Sequence, residues 1–392
     1  MLTSRAARPR VTSSSYSVEL IGAADLARVR GEWADLFDRS LECNVFYGPD
    51  LLEPLATGPL CDSSFRVLLA WRQGAGARTL AGFMPLHLSA RPLASVRGFK
   101  HHYVIGSAPL IDSFQPEEAA NALLHGLAEI RPGAVLILDD VRLDWPTWQA
   151  FVQAARASGR LFEEQDVTLR AGVSPASGTA HLKGKISQNL RRCGAKLTTL
   201  GAWSVSTHMD LEEARAALES LLSIEASGWK GEAGTALASN PDTLAFARQA
   251  FDPANLRPTP IFSVLWLEGR AIAASMNLIG HDNAANLKCA YDETYAACSP
   301  GVLLDVALAD ELRRTSFTPM IDSVALPGHP VERVWPERMR CGWVAMACDP
   351  ATGPTEFYVR LGVEQMRRTM RRMAVKAYNS TIPVLRNAVG RD

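Results

Sequence analysis

Hydrophobic positions along the chain follow two periods, and the switches between them mark the elements. Two-residue alternation or short apolar runs over residues 18–21, 65–71, 78–88 and 135–138 predict strands. Residues 74–76, rich in glycine, turn the second of these back onto the third. Spacing of three and four residues predicts helices over 24–37, 116–130 and 145–157, the second with Pro116 where a missing N–H costs nothing. Residues 101–111 and 162–169 read as further strands. From 171 to 180 Ser, Pro, Gly and Thr replace any periodic pattern, which marks a linker.

Beyond the linker the pattern resumes. A helix over 183–200 carries Ile186, Leu190, Leu197 and Leu200 on one side and Lys183, Lys185, Arg191, Arg192 and Lys196 on the other. A helix over 212–226 is broken by 227–231. Strands follow at 261–267 and 271–278, joined by a tight turn at Glu268-Gly269-Arg270, and again at 286–291. Ser299 as N-cap and Pro300 at the first position then open an apolar helix over 300–312, with a strand at 320–325 after it. Last comes a basic helix over 362–378, where Met366, Met370 and Met373 interleave with Arg367, Arg368, Arg371, Arg372 and Lys376. Such a helix could lie on an anionic membrane surface, but its apolar face is short, and we expect it to dock its methionines on the protein and leave its arginines in water. Hairpin, strand, helix and strand recur in the same order in both halves. The expected class is α/β (α+β): a tail at 1–15, a lobe at 16–170, the linker at 171–180, a second lobe at 181–350, and a basic helical extension at 351–392.

Composition narrows the partners. Of 392 residues, 47% are hydrophobic and 21% charged, and 41 Lys and Arg balance 41 Asp and Glu. No overall basic field draws the chain to DNA. Seven cysteines without a C-x-x-C pair suit neither a disulfide framework nor a structural zinc, and no metal is expected. No apolar run reaches membrane-spanning length, and the basic, Ser-rich start lacks the apolar stretch of a secretory signal. A cytoplasmic chain without membrane contact is the expectation.

Candidate chemistry gathers in the second half. A strand feeding a helix start through Ser299-Pro300-Gly301 aims free backbone N–H groups and a positive dipole end at one spot, which suits a phosphate. Lys288 lies in an otherwise apolar strand, and Asp322 lies between Ile321 and Val324; each needs water, a ligand or its opposite. Trp229 and Lys230 sit between two glycines, as in a pocket-lining loop. His329, on the rigid Pro327-Gly328-His329-Pro330 loop, can titrate near neutral pH. We expect Lys288, Asp322 and Trp229 to converge on one cleft beside the helix start.

Several of these stretches together resemble a known family. They are Gly228-Trp229-Lys230-Gly231, the hairpin 267–273, Lys288 with Tyr291-Asp292, Ser299-Pro300-Gly301-Val302-Leu303-Leu304, and Asp322 ahead of Pro327-Gly328-His329-Pro330. In this order they are similar to the CelD-like, cellulose-biosynthesis-labelled branch of the GNAT acyltransferases, related to the FemABX transferases. The resemblance spans residues 183–346 and implies two GNAT-like lobes, each a mixed central sheet flanked by helices. It implies N-acyl transfer from an acyl thioester, acyl-CoA or acyl carrier protein, to a small-molecule amine, such as an amino sugar or another polysaccharide precursor. Lys288, Tyr291 and Asp322 would be catalytic. Cys289, Ser299, Gly301, Val302 and Leu303 would hold the donor; Trp229, Lys230, Arg191 and His329 would meet the acceptor. The usual Arg/Gln-x-x-Gly-x-Gly/Ala phosphate loop is replaced by Ser-Pro-Gly. An aminoacyl-tRNA-dependent transferase and an inactive GNAT-like partner protein are the alternatives.

Overall fold

The computed structural model describes residues 10–13, 15–89, 95–177, 182–208, 210–315 and 320–389. The expected tail lies largely outside them, except that Arg10–Ser13 form strand β1. The first half continues with β2 (Tyr16–Ile21), α1 (Arg30–Arg39), α2 (Pro49–Thr57), β3 (Phe65–Gln73) and β4 (Arg78–His87). Then come β5 (Val96–Gly98), β6 (Leu110–Ile111), α3 (Pro116–Ile130), β7 (Val135–Arg142), α4 (Pro146–Ala157) and β8 (Phe162–Val173). The second half holds α5 (Gly184–Leu200), β9 (Trp203–His208), α6 (Leu211–Ser227), α7 (Trp229–Glu232), α8 (Pro241–Ala250), β10 (Thr259–Leu267) and β11 (Arg270–Ile279). It ends with β12 (Asn283–Tyr291), α9 (Pro300–Thr315), β13 (Met320–Asp322), β14 (Glu337–Ala347) and α10 (Pro354–Val389).

The class is mixed α/β, a large mixed sheet flanked by helices. The expectation of a separate sheet in each half is corrected, because the strands among the described residues form one sheet of 14. Its order is β1-β2-β3-β4-β5-β7-β14-β8-β13-β12-β11-β10-β9, with β6 on β4. Three ladders fuse the halves. β8 pairs with β13, Gly172 opposite Asp322, and β14, late in the chain, lies between β7 and β8 of the first half. Residues 171–173 of the expected linker are therefore strand, and 178–181 lie outside the described residues. The expected strand over 101–111 is also replaced: an isolated bridge between His101 and Val104 and the short β6 share that region.

One apolar core runs under both halves. Trp33, Leu51 and Phe83 pack in the same cluster as Leu221, Phe246 and Met276, with α1, α2, α6 and α8 on that face. α3 and α4 cover the opposite face of the first half, and α5 and α9 that of the second. The expected docking of the last helix is reversed. α10 buries Phe357 and Leu361. Arg368 lies over the Trp343 ring at 4.2 Å and pairs with Asp139 at 2.6 Å, while Arg372 reaches Asp166 at 3.0 Å. The buried Glu364 takes Arg97, Arg367 and Arg368 together. The methionines face outward. Asp139 pairs with Arg368, while Asp140 pairs with Lys100 and Arg170; neither caps α4, whose N-cap position is Trp145.

Candidate active site

The site begins where two parallel strands part. β12 pairs with β11 along its length, with a bulge that leaves Leu287 out between Asn286 and Lys288. It pairs with β13 only at Asn283, Ala284 and Ala285, opposite Met320, Ile321 and Asp322. Among the described residues, no strand meets residues 286–291 on the side away from β11, so that backbone edge keeps free N–H and C=O groups. The opening is a cleft of about 390 Å³, the size of a small-ligand pocket. Asn286, Lys288, Cys289 and Tyr291 of β12 form one wall; Ser323, Val324, Ala325 and His329 form another; Ile105 reaches in from the first half.

α9 starts against this opening. It begins at Pro300 as expected, but Ser299 takes a left-handed backbone (φ 51, ψ 52) that ends the preceding short helix. Gly301 faces β12 closely: a side-chain carbon there would lie 3.4 Å from Cys289 Sγ and 3.8 Å from Tyr291 Cδ1. The unpaired N–H groups of the first turn thus stand at the cleft wall. Lys196 of α5 donates to the Ala297 carbonyl at 3.1 Å, which brings the basic side of α5 next to the same turn.

One turn into α9 the pattern missed a residue. Asp305 is 6% exposed and lines the cleft, and no described group bonds to its carboxyl. Burial pushes that carboxyl up to about 8. Burial, and then the neighbouring Asp305, push the Cys289 thiol up to about 12, so it is protonated at neutral pH. Across the cleft His329 accepts the Val331 N–H on Nδ1 at 3.2 Å, and burial lowers its affinity for a second proton. It is a neutral imidazole with its proton on Nε2. The signal for Asp305 was one carboxylate among Val302, Leu303, Leu304, Val306, Leu308 and Ala309.

Lys288 lines the cleft, but its partner is Glu225 of α6, 2.7 Å away. Glu225 also binds Lys230 at 3.0 Å and accepts the Leu237 N–H at 2.9 Å. Burial alone would raise Glu225; these three partners outweigh it and hold the carboxylate ionised. Burial lowers Lys288, and Glu225 offsets part of that.

The expected convergence of Lys288, Asp322 and Trp229 is corrected. Neighbouring residues on a strand face opposite sides, and Ser323 rather than Asp322 meets the cleft. Asp322 looks into a separate hollow of about 40 Å³ at the seam between the halves, 3.4 Å from Arg170, which also holds Asp140 at 2.8 Å. Burial would weaken the Arg170 charge, but Asp322 and Asp140 outweigh it and keep the guanidinium above its ordinary value. Asp322 acts on the cleft only through backbone: its Oδ1 accepts the Val324 N–H at 2.8 Å, holding Val324 in a left-handed turn at the cleft wall. Trp229 is 60% exposed, and with Lys230 it flanks a small adjoining hollow that shares Cys289 and Tyr291 with the cleft. Leu303 is buried in the core beside Leu197, Leu265 and Ile272, and Arg191 is exposed on α5; neither lines the cleft. Cys43, His281 and Asp282 bring ligand atoms within 4.8 Å of one another, the one such group among the described residues, and none of them lines the cleft.

Residues 184–325 match the acetyltransferase (GNAT) domain family, and this stretch holds β12, α9 and β13. The chain thus carries an acyltransferase domain. No curated protein matches it. Among solved structures, it is similar to one from Agrobacterium fabrum described as the C-terminal domain of a lysylphosphatidylglycerol synthetase, with 13% identity and a TM-score of 0.54, over 86% of this chain and 95% of that one. The L-PGS structure from Bacillus licheniformis has 10% identity and a TM-score of 0.50, over 87% and 96%. A conserved protein of unknown function from Bacteroides thetaiotaomicron has 10% identity and a TM-score of 0.50, over 83% and 98%. These likenesses show a shared fold.

Proposed function

We propose that this protein moves an acyl group from an acyl thioester, on coenzyme A or a carrier protein, directly to an amine held in the β12–α9 cleft. The observation that carries this reading is the buried, unpaired carboxyl of Asp305, which opens into the same cleft as the α9 start and the free edge of β12. The first-turn N–H groups of α9, with the α5 basic side nearby, offer a place for the donor's phosphates. The donor's thioester carbonyl then lies along β12, where a free strand N–H can take the charge that develops on oxygen. The amine nitrogen attacks the carbonyl carbon, the C–N bond forms, the C–S bond breaks, and the thiolate leaves. The amine proton passes to Asp305, whose affinity for protons suits a base working near neutral pH. His329, through Nε2–H, and Lys288 orient the acceptor or balance its charge.

Cys289 is the only thiol lining the cleft among the described residues, and its protonation at neutral pH argues against an acyl-enzyme intermediate. Direct transfer requires both substrates bound at once. Initial rates with varied acyl-CoA and amine should give intersecting reciprocal lines; parallel lines would overturn the direct route. A thermal-shift screen of coenzyme A, acyl-CoAs, acyl carrier protein and aminoacyl-tRNA identifies the donor, since a ligand of the native state raises its melting temperature. Stabilisation by aminoacyl-tRNA alone would replace the thioester donor. Amino sugars are the first acceptors to test, on the resemblance to the polysaccharide-labelled branch.

A further inference from the structure

α10 presents a long apolar face that no described residue covers. Val359, Val363, Met366, Met370 and Met373 recur at alternating spacings of four and three, and each is between 62% and 65% exposed. They span about 21 Å of helix. The orientation is fixed from the other side, where Phe357 and Leu361 are buried and Arg368 and Arg372 are paired to the body of the protein. The flank next to the stripe carries Arg360, Arg367 and Arg371. A wide groove runs along that flank, and Arg66, Arg97 and Arg131 of the first half line it together with Val359 and Val363. Carboxylates are few here. Glu364 is buried among arginines, and Glu356 is paired with Arg360 at 2.8 Å.

We propose that this face docks the protein on an anionic lipid surface, with α10 lying in the headgroup plane and its methionine stripe entering the apolar boundary. An apolar stripe with a basic flank is the pattern of an interfacial helix. A second copy of the chain fits less well. An antiparallel pair of such helices sets arginine flank against arginine flank. A parallel pair sets it against Gly362, Gln365 and Thr369, which offer no carboxylate. The proposal departs from the expectation of no membrane contact because the face assigned to the protein interior is outside. It involves no crossing, since no helix among the described residues is long and apolar enough to span a membrane. It stands apart from the acyl-transfer reading.

The test is flotation of the full chain with vesicles of phosphatidylcholine alone and of phosphatidylcholine mixed with phosphatidylglycerol. The chain should float with the mixed vesicles at low salt, stay behind with the neutral ones, and be released as salt rises. Met366→Asp with Met370→Asp should abolish flotation and leave the melting temperature unchanged, because both side chains are exposed. Arg371→Gln should weaken binding about fivefold, the effect of one basic residue near a charged surface; it keeps the proposal testable if the double variant fails to fold. No flotation with mixed vesicles at low salt would overturn the proposal. So would a concentration-dependent dimer in sedimentation velocity that the double Asp variant abolishes, which would assign the stripe to a second copy.

Discussion

Replacing Asp305 by Asn removes a carboxyl that burial holds at about 8 against an ordinary value of 3.8. Between those values the folded chain keeps a proton that the unfolded chain has released, so rising pH favours unfolding. The contribution to stability is complete below pH 3.8 and is lost as pH climbs to 8. The loss is about 1.4 kcal/mol per pH unit and on the order of 6 kcal/mol in all. Asn has nearly the same volume and does not ionise. Asp305→Asn should therefore lie about 1–2 kcal/mol below the parent near pH 4, the cost of its own unpaired amide, and exceed it at pH 9. With an unfolding entropy of about 0.8 kcal/mol per kelvin for 392 residues, a net gain of about 4 kcal/mol at pH 9 raises Tm by about 5 °C. Turnover should move the opposite way, falling by roughly a hundredfold or more, and the rise of rate with pH centred near 8 should disappear. Calorimetry from pH 4 to 9, beside thioester cleavage followed by thiol release, measures both. Parallel Tm–pH curves for parent and variant would show that the carboxyl is not desolvated. Undiminished turnover with the same pH profile would show that it is not the base.

Other substitutions probe the rest of the cleft. Cys289→Ala should retain turnover with intersecting initial-rate patterns; a lost activity with normal melting would restore the thiol as a nucleophile. Gly301→Asp should fold, since a side-chain carbon there makes ordinary contacts at 3.4 and 3.8 Å, and should weaken donor binding roughly threefold to thirtyfold in calorimetric titration. Lys288→Met leaves Glu225 with Lys230 as its one cation and should cost about 2 kcal/mol in urea unfolding, part of it recovered by adding Glu225→Gln. Arg170→Met strands Asp322 at the seam and weakens the hold on Asp140, and should cost about 3 kcal/mol. Asp322→Asn, whose amide oxygen can still accept the Val324 N–H, should leave turnover unchanged in the same assay.

Elements with a complete period of their own could be read from the sequence: β3, β4, α3, α4, β10, β11 and α9 each carry an unbroken pattern. What failed was information about neighbours. The Met339, Cys341 and Trp343 alternation against Arg338 and Arg340 is a strand signal, yet nothing in it says that β14 pairs inside the first half. Asp322 was recognisable as a charge in an apolar strand, but its face depends on register with Ala285 and Gly172, which belong to distant segments. The seven predicted residues that do line the cleft, Lys288, Cys289, Tyr291, Ser299, Gly301, Val302 and His329, lie on β12, the α9 start and one loop, within some forty residues of chain. The docking face of α10 was misjudged because the periodic reading began at Gly362. Phe357 and Leu361, which settle which side faces inward, lie before it.

The position of β14 also bears on how the chain is made. Residues 135–173 emerge from the ribosome long before 337–347, yet β7 and β8 meet only through the strand that those later residues form. Until then each presents an unfilled edge of hydrogen-bonding groups. Most of the chain must be synthesised before the middle of the sheet can close. During that interval β7, apolar from Val135 to Leu138, is a segment that a chaperone's cover would protect.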